Sequence, residues 1–89
     1  MQTKHYLVKG RVQGVSFRAN TRSKALSLGV TGWVKNLSDG SVEVLATAEE
    51  MVLNDFESWL KSGPVFARVD ELIVNHADIQ HFDNFAVLY

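Results

Sequence analysis

Apolar residues recur along this chain with two different periods, and the switches between them divide it into elements. From His5 to Val12, Tyr6, Val8, Gly10 and Val12 alternate with His5, Leu7, Lys9 and Arg11, the period of two expected of a strand with one buried face. The alternation stops across Arg11–Phe17. From Arg18 a helical period replaces it, with Thr21, Ala25 and Leu28 at i, i+4 and i+7 and Gly29 as a left-handed cap. Val30–Asn36 and Ser41–Ala46 alternate again, and Ser38-Asp39-Gly40 between them is a hairpin turn signal.

Thr47-Ala48-Glu49-Glu50 has the capping-box spacing and predicts a second helix from that point, with Glu49 and Glu50 favoured by the helix dipole. Val52, Leu53, Phe56, Trp59 and Leu60 form its apolar stripe, and Gly63-Pro64 ends it. Trp59 is at helical spacing and reads as core. Beyond Pro64, Ala67, Val69, Glu71 and Ile73 fall on one side and Leu72 and Val74 on the other, a strand with an irregularity near its middle. Phe85-Val87-Tyr89 reads as a short last strand. The order βαββαβ, with an extra terminal strand, predicts an α+β ferredoxin-like sandwich: an antiparallel sheet of four to five strands with two helices on one face. That plan hosts many unrelated functions.

At 89 residues the chain suits one domain over 1–89, and no repeat, low-complexity stretch or linker divides it. A chain this short buries only roughly 60–65% of its unfolded surface, so its core must come from a few short elements. It has no cysteine, which removes disulfides, thiolate metal sites and a cysteine nucleophile together. The N-terminal residues carry no signal-peptide h-region, and no stretch is apolar enough for a membrane span, so a soluble cytoplasmic protein is expected. The net charge of −1 hides an asymmetry. Seven basic residues and no acid precede Asp39, whereas ten acids from there onward face only Lys61 and Arg68. A half of one sign creates positive potential where its elements converge, which attracts a small anion.

Two segments carry chemistry. Gly10-Arg11-Val12-Gln13-Gly14-Val15-Ser16-Phe17-Arg18 is a glycine-bearing loop between a strand and a helix. Such a loop can turn successive amides inward to form an anion nest, the helix start adds its free amides, and Arg18 can pair with two phosphate oxygens. Gly32-Trp33-Val34-Lys35-Asn36-Leu37-Ser38-Asp39-Gly40-Ser41-Val42-Glu43 is a hairpin with an Asn at the end of its first strand. Asn36 and Asp39, taken singly, are ordinary turn formers.

Together these segments resemble the two signatures of the acylphosphatase family, G-R-V-Q-G-V-x-F-R and G-W-V-x-N-x-x-D-G-x-V-E, at every fixed position. The similarity extends to Ala25…Leu28-Gly29, Phe56…Trp59-Leu60 and Gly63-Pro64-x-x-Ala67-x-Val69, and so covers nearly the whole chain. Leu88 departs from it, since many members carry Arg before the final residue. The resemblance implies that Arg18 is the substrate-binding arginine, Asn36 the asparagine that orients water, and Gln13, Gly14, Val15, Ser16 and Phe17 the phosphate cradle, with Gly14–Phe17 supplying the amides.

The implied activity is hydrolysis of the carboxyl–phosphate bond of a small acyl phosphate, releasing inorganic phosphate. Its carboxylate leaving group has a conjugate acid of pKa about 4 and needs no general acid. Positioning water and neutralising phosphoryl charge are then the main tasks, and no metal, cofactor or covalent intermediate is required. His5, His76 and His81 lack paired ligand spacing. Ser16 lies in the cradle with no His–acid partner in the motif, and is a poor nucleophile candidate. An RNA-binding module shares the βαββαβ order, but it needs aromatics on its central strands, and Ser41-Val42-Glu43-Val44-Leu45 offers none. The same signatures occur in a domain of hydrogenase-maturation carbamoyltransferases, so an accessory module is the other alternative. A monomer without nucleic-acid or membrane partners is expected.

Overall fold

In the computed structural model, which describes all 89 residues, the alternating segments become strands and the 3.6-period segments helices. The order is β1 (Gln2–Arg11), α1 (Phe17–Leu28), β2 (Thr31–Asn36), β3 (Val42–Ala48), α2 (Glu50–Ser62), β4 (Arg68–Ala77) and β5 (Phe85–Leu88). The sheet runs β4-β1-β3-β2-β5. Lys4, Tyr6 and Val8 of β1 share a face with Val42, Val44, Ala46 and Ala48 of β3, and both helices pack there. Tyr6, Phe17, Phe56 and Phe85 are almost fully buried, and the Tyr6–Phe56 and Phe56–Phe85 rings meet edge to face.

Two expectations are corrected. The sheet is mixed: β5 pairs with β2 in parallel, because the chain returns from β4 across the end of the sheet before entering the far edge. The predicted capping box does not form. β3 runs two residues further than its alternation suggests, and Thr47 points to the open face of the sheet. There its hydroxyl bonds Thr3 Oγ1 at 2.7 Å and donates to the Gln80 carbonyl at 2.7 Å. The helix begins at Glu50, with Glu49 as an N-cap that makes no side-chain hydrogen bond. Thr47 thus fastens the 78–84 crossover to the sheet.

The irregularity in β4 lies nearer its start than its middle. Lys9 faces Glu71 but Gly10 faces Val69, so Asp70 is the extra residue. Gly10 approaches the Arg68 carbonyl so closely that no Cβ would fit. Beneath α2, Lys4 Nζ and Glu57 Oε1 form a mostly buried ion pair at 3.2 Å. Burial and the Glu57 charge push the Tyr6 hydroxyl far above the usual phenol range. No helix is long and apolar enough to cross a membrane.

The topology collects the site. The C-terminal ends of β1, β2 and β5 and the N-terminal ends of β3 and β4 lie along one edge of the molecule. Both signature segments, the loop after β1 and the hairpin after β2, therefore meet there although more than twenty residues separate Gln13 from Leu37 in sequence.

Candidate active site

The cradle forms where regular structure breaks. Beyond Val12, which is buried, the backbone is positive at Gly14 (φ 74°) and again at Ser16 (φ 59°, ψ 27°), with Val15 between them of the usual sign. Such alternation aims successive N–H groups at one point, an arrangement that binds anions. A Cβ on Gly14 would meet nothing within 4 Å, so the positive φ alone calls for glycine. Ser16 holds the same conformation with a side chain, at a cost of about 1–2 kcal/mol. Asn20 fixes it there: its N–H and its Nδ2 both donate to the Ser16 carbonyl, at 3.0 and 2.8 Å. The helix then starts with no side-chain cap and no acid in its first turn. No side chain of the chain thus competes for its free amides or for the positive end of its dipole.

Arg18 stands in that first turn. One of its terminal nitrogens donates to the Leu88 carbonyl at 3.0 Å, and the guanidinium lies 4.7 Å from the centre of the Tyr89 ring. This contact runs through a main-chain carbonyl, so the Leu88 side chain takes no part in it. A guanidinium has five donors, and this one hydrogen bond orients the group while leaving others for a ligand.

Asn36 ends β2 opposite the cradle. Its Oδ1 is buried and has no hydrogen-bond partner. A polar atom buried in this way costs about 1–3 kcal/mol, and its retention asks for an explanation. Asp39 belongs to the turn instead. Its carboxylate accepts from the Ser41 N–H at 2.9 Å and from the Ser41 hydroxyl, bonds that hold its pKa below the usual carboxylate value.

A pocket of about 400 Å³ joins these parts, lined by Gly14, Ser16, Phe17, Arg18 and Asn36 together with Val12, Ala19, Val87 and Tyr89. Five of the seven residues expected at the site meet there. Gln13 and Val15 do not line it. Gln13 Nε2 donates to the Leu37 and Ser41 carbonyls at 2.7 and 2.8 Å, tying the cradle to the hairpin that carries Asn36. Val15 packs against the core on the other flank. No histidine or carboxylate side chain lines the pocket. His5 bonds Glu43 at 2.8 Å on the open face, and no three His, Asp or Glu side chains converge on a point that could hold a metal ion.

A family model described as Acylphosphatase matches residues 4–87. The chain belongs to the acylphosphatase family. It is 48% identical over 82 residues to an acylphosphatase of Archaeoglobus fulgidus, covering 92% of each chain. The crystal structure of acylphosphatase from Bacillus subtilis superposes with a TM-score of 0.96 at 36% identity, covering all of both chains. The same fold recurs within T. kodakarensis HypF, with a TM-score of 0.82 and 33% identity, covering 98% of this chain and 12% of that one.

Sequence reasoning missed three contributors in this acylphosphatase-family chain: Asn20, the Leu88 carbonyl and the Tyr89 ring. Asn20 had a legible signal in its i+4 spacing from Ser16. The C-terminal pair had none, since their place depends on the parallel docking of β5.

Proposed function

We propose that the chain hydrolyses acyl phosphates by in-line attack of water at phosphorus. Those amides of the Gly14–Phe17 cradle that face the pocket, together with Arg18, hold the phosphoryl oxygens, neutralising charge that spreads over them in a loose transition state. Water occupies the position facing Asn36 and is held in line by its side-chain amide. The water oxygen–phosphorus bond forms as the bond from phosphorus to the carboxylate oxygen breaks. The carboxylate leaves with the electron pair, and the water proton passes to a phosphoryl oxygen. The leaving group is a weak base, so no step calls for a general acid or a metal.

The observation that carries this reading is that Asn36 and Arg18 meet Gly14, Ser16 and Phe17 of the cradle around one pocket, at a helix start that has no side-chain cap and no acid of its own. On the open face, β1 and β3 present no Phe, Tyr or Trp for stacking bases, and His5 there is engaged by Glu43, which favours a small-molecule substrate over RNA. We take the working unit to be a cytoplasmic monomer.

Hydrolysis of acetyl phosphate in ¹⁸O-water, with a chelator present, tests the reading. Attack at phosphorus places the label in inorganic phosphate. Label in acetate, or activity abolished by the chelator, would contradict it.

A further inference from the structure

The cradle has a second flank, and the in-line reading above assigns it a task. Along the edge that collects the site, the strand ends run Arg68, Arg11, Val42, Asn36 and Leu88 in sheet order. Asn36 therefore lies to one side of the loop after β1, and the segment joining α2 to β4 lies to the other. On that other side Val65 and Phe66 stand side by side in solvent, 93% and 82% exposed. Phe66 lines two shallow recesses that open beside the cradle. Ser16 borders both of them as well as the catalytic pocket, and Gly14 borders one of the two together with the pocket. Trp59 and Pro64 back this shelf, and Trp59 in turn packs on Phe17 with ring centres 6.0 Å apart. Arg11 is the one charged residue at its rim.

In-line displacement places the entering and leaving oxygens on opposite sides of phosphorus. With water held on the Asn36 side, the carboxylate must depart away from Asn36, over the Gly14–Ser16 rim and toward Phe66. We propose that Phe66, supported by Val65 and Pro64, is the acyl-group contact and determines substrate preference in favour of aromatic or bulky apolar acyl groups. The shelf explains two adjacent apolar side chains left in water next to an anion site. An acyl group lying on the Phe66 ring removes apolar surface from water on both partners. Acetyl phosphate, with only a methyl group, gains little from it.

The test is the ratio of kcat/KM for benzoyl phosphate to that for acetyl phosphate, in the wild type and in Phe66→Ala and Phe66→Leu. Burying about one ring face is expected to make the ratio fall about tenfold in Phe66→Ala. Phe66→Leu should fall between Phe66→Ala and wild type. Phe66 is largely exposed, so a change in this ratio reports on the acyl group rather than on folding. A ratio unchanged in Phe66→Ala, whether both substrates slow equally or neither slows, would overturn the assignment. The in-line reading is judged separately by Asn36→Ala, because loss of water positioning slows both substrates alike whatever the acyl group touches.

Discussion

Replacing Gln13 with alanine should damage catalysis more than it damages the fold. The side chain is the direct tie between the cradle and the Asn36 hairpin, through two hydrogen bonds to main-chain carbonyls. Both carbonyls keep a backbone donor when it is removed: Leu37 N–H still reaches the Ser41 oxygen at 2.9 Å, and Gly40 N–H the Leu37 oxygen at 3.2 Å. No acceptor is stranded, so the loss belongs at the lower end of the range for two hydrogen bonds, about 1–2 kcal/mol. For a domain of this size that lowers the melting temperature by roughly 4–16 °C. The kinetic effect is larger because Asn36 adjoins Leu37. A displacement of about 1 Å between water and phosphoryl group can cost on the order of 10²-fold in rate. We expect kcat to fall about 10- to 100-fold while phosphate inhibition changes less than about threefold, since Arg18 and the amides are untouched. Gln13→Glu should lose kcat at least as far and also weaken phosphate inhibition, because a carboxylate cannot donate to those carbonyls and sets a negative charge beside the cradle. Melting curves and steady-state kinetics on acetyl phosphate measure both quantities. A destabilised Gln13→Ala with wild-type kcat would show that the tie serves folding only and refute the positional argument.

Ser16→Gly should raise the melting temperature, since glycine relieves the left-handed strain worth about 1 kcal/mol, yet lower kcat by loosening the cradle; a lower melting temperature would contradict the strain assignment. Inorganic phosphate should inhibit competitively and stabilise the fold by about 2.7 kcal/mol at a hundredfold excess over Kd. At matched ionic strength, the specific part of that shift should vanish in Arg18→Ala, and equal shifts in the two proteins would exclude Arg18 from the anion site. The rate should be flat from about pH 5 to 8, because no histidine or carboxylate side chain lines the pocket; a bell-shaped profile there would point to a titrating group. Stability should instead fall in strong alkali: the Tyr6 pKa is raised on folding, so stability is full below the unfolded value of 10.0 and is lost as pH rises beyond it. Tyr6→Phe should flatten that alkaline limb in a pH series of melting temperatures.

The elements were legible wherever a period was long and uninterrupted. α2 carries its stripe through Leu53, Phe56 and Leu60, all fully buried, and both helices end at glycines with positive φ. What failed did so for tertiary reasons. Thr47 has the right neighbours for a helix cap, but Thr3 and the Gln80 carbonyl compete for its hydroxyl from 44 and 33 residues away. The parallel docking of β5 depends on a crossover whose path leaves no local pattern. That Arg18 and Asn36 would meet Gly14, Ser16 and Phe17 at one pocket was legible because two long motifs carry them. The task of the Gln13 side chain was not, since a glutamine in a glycine-bearing loop can face a ligand or a carbonyl, and only the meeting of two distant segments decides which.

The central claim is that Asn36 holds water while the cradle holds phosphate, and Asn36→Ala separates the two. Removing a preorganised group of this kind typically costs about 10²–10³ in rate. We predict a loss of that size in kcat on acetyl phosphate, with competitive inhibition by phosphate nearly unchanged. An Asn36→Ala protein that keeps more than about a tenth of wild-type kcat, or that loses phosphate inhibition along with turnover, would contradict the account.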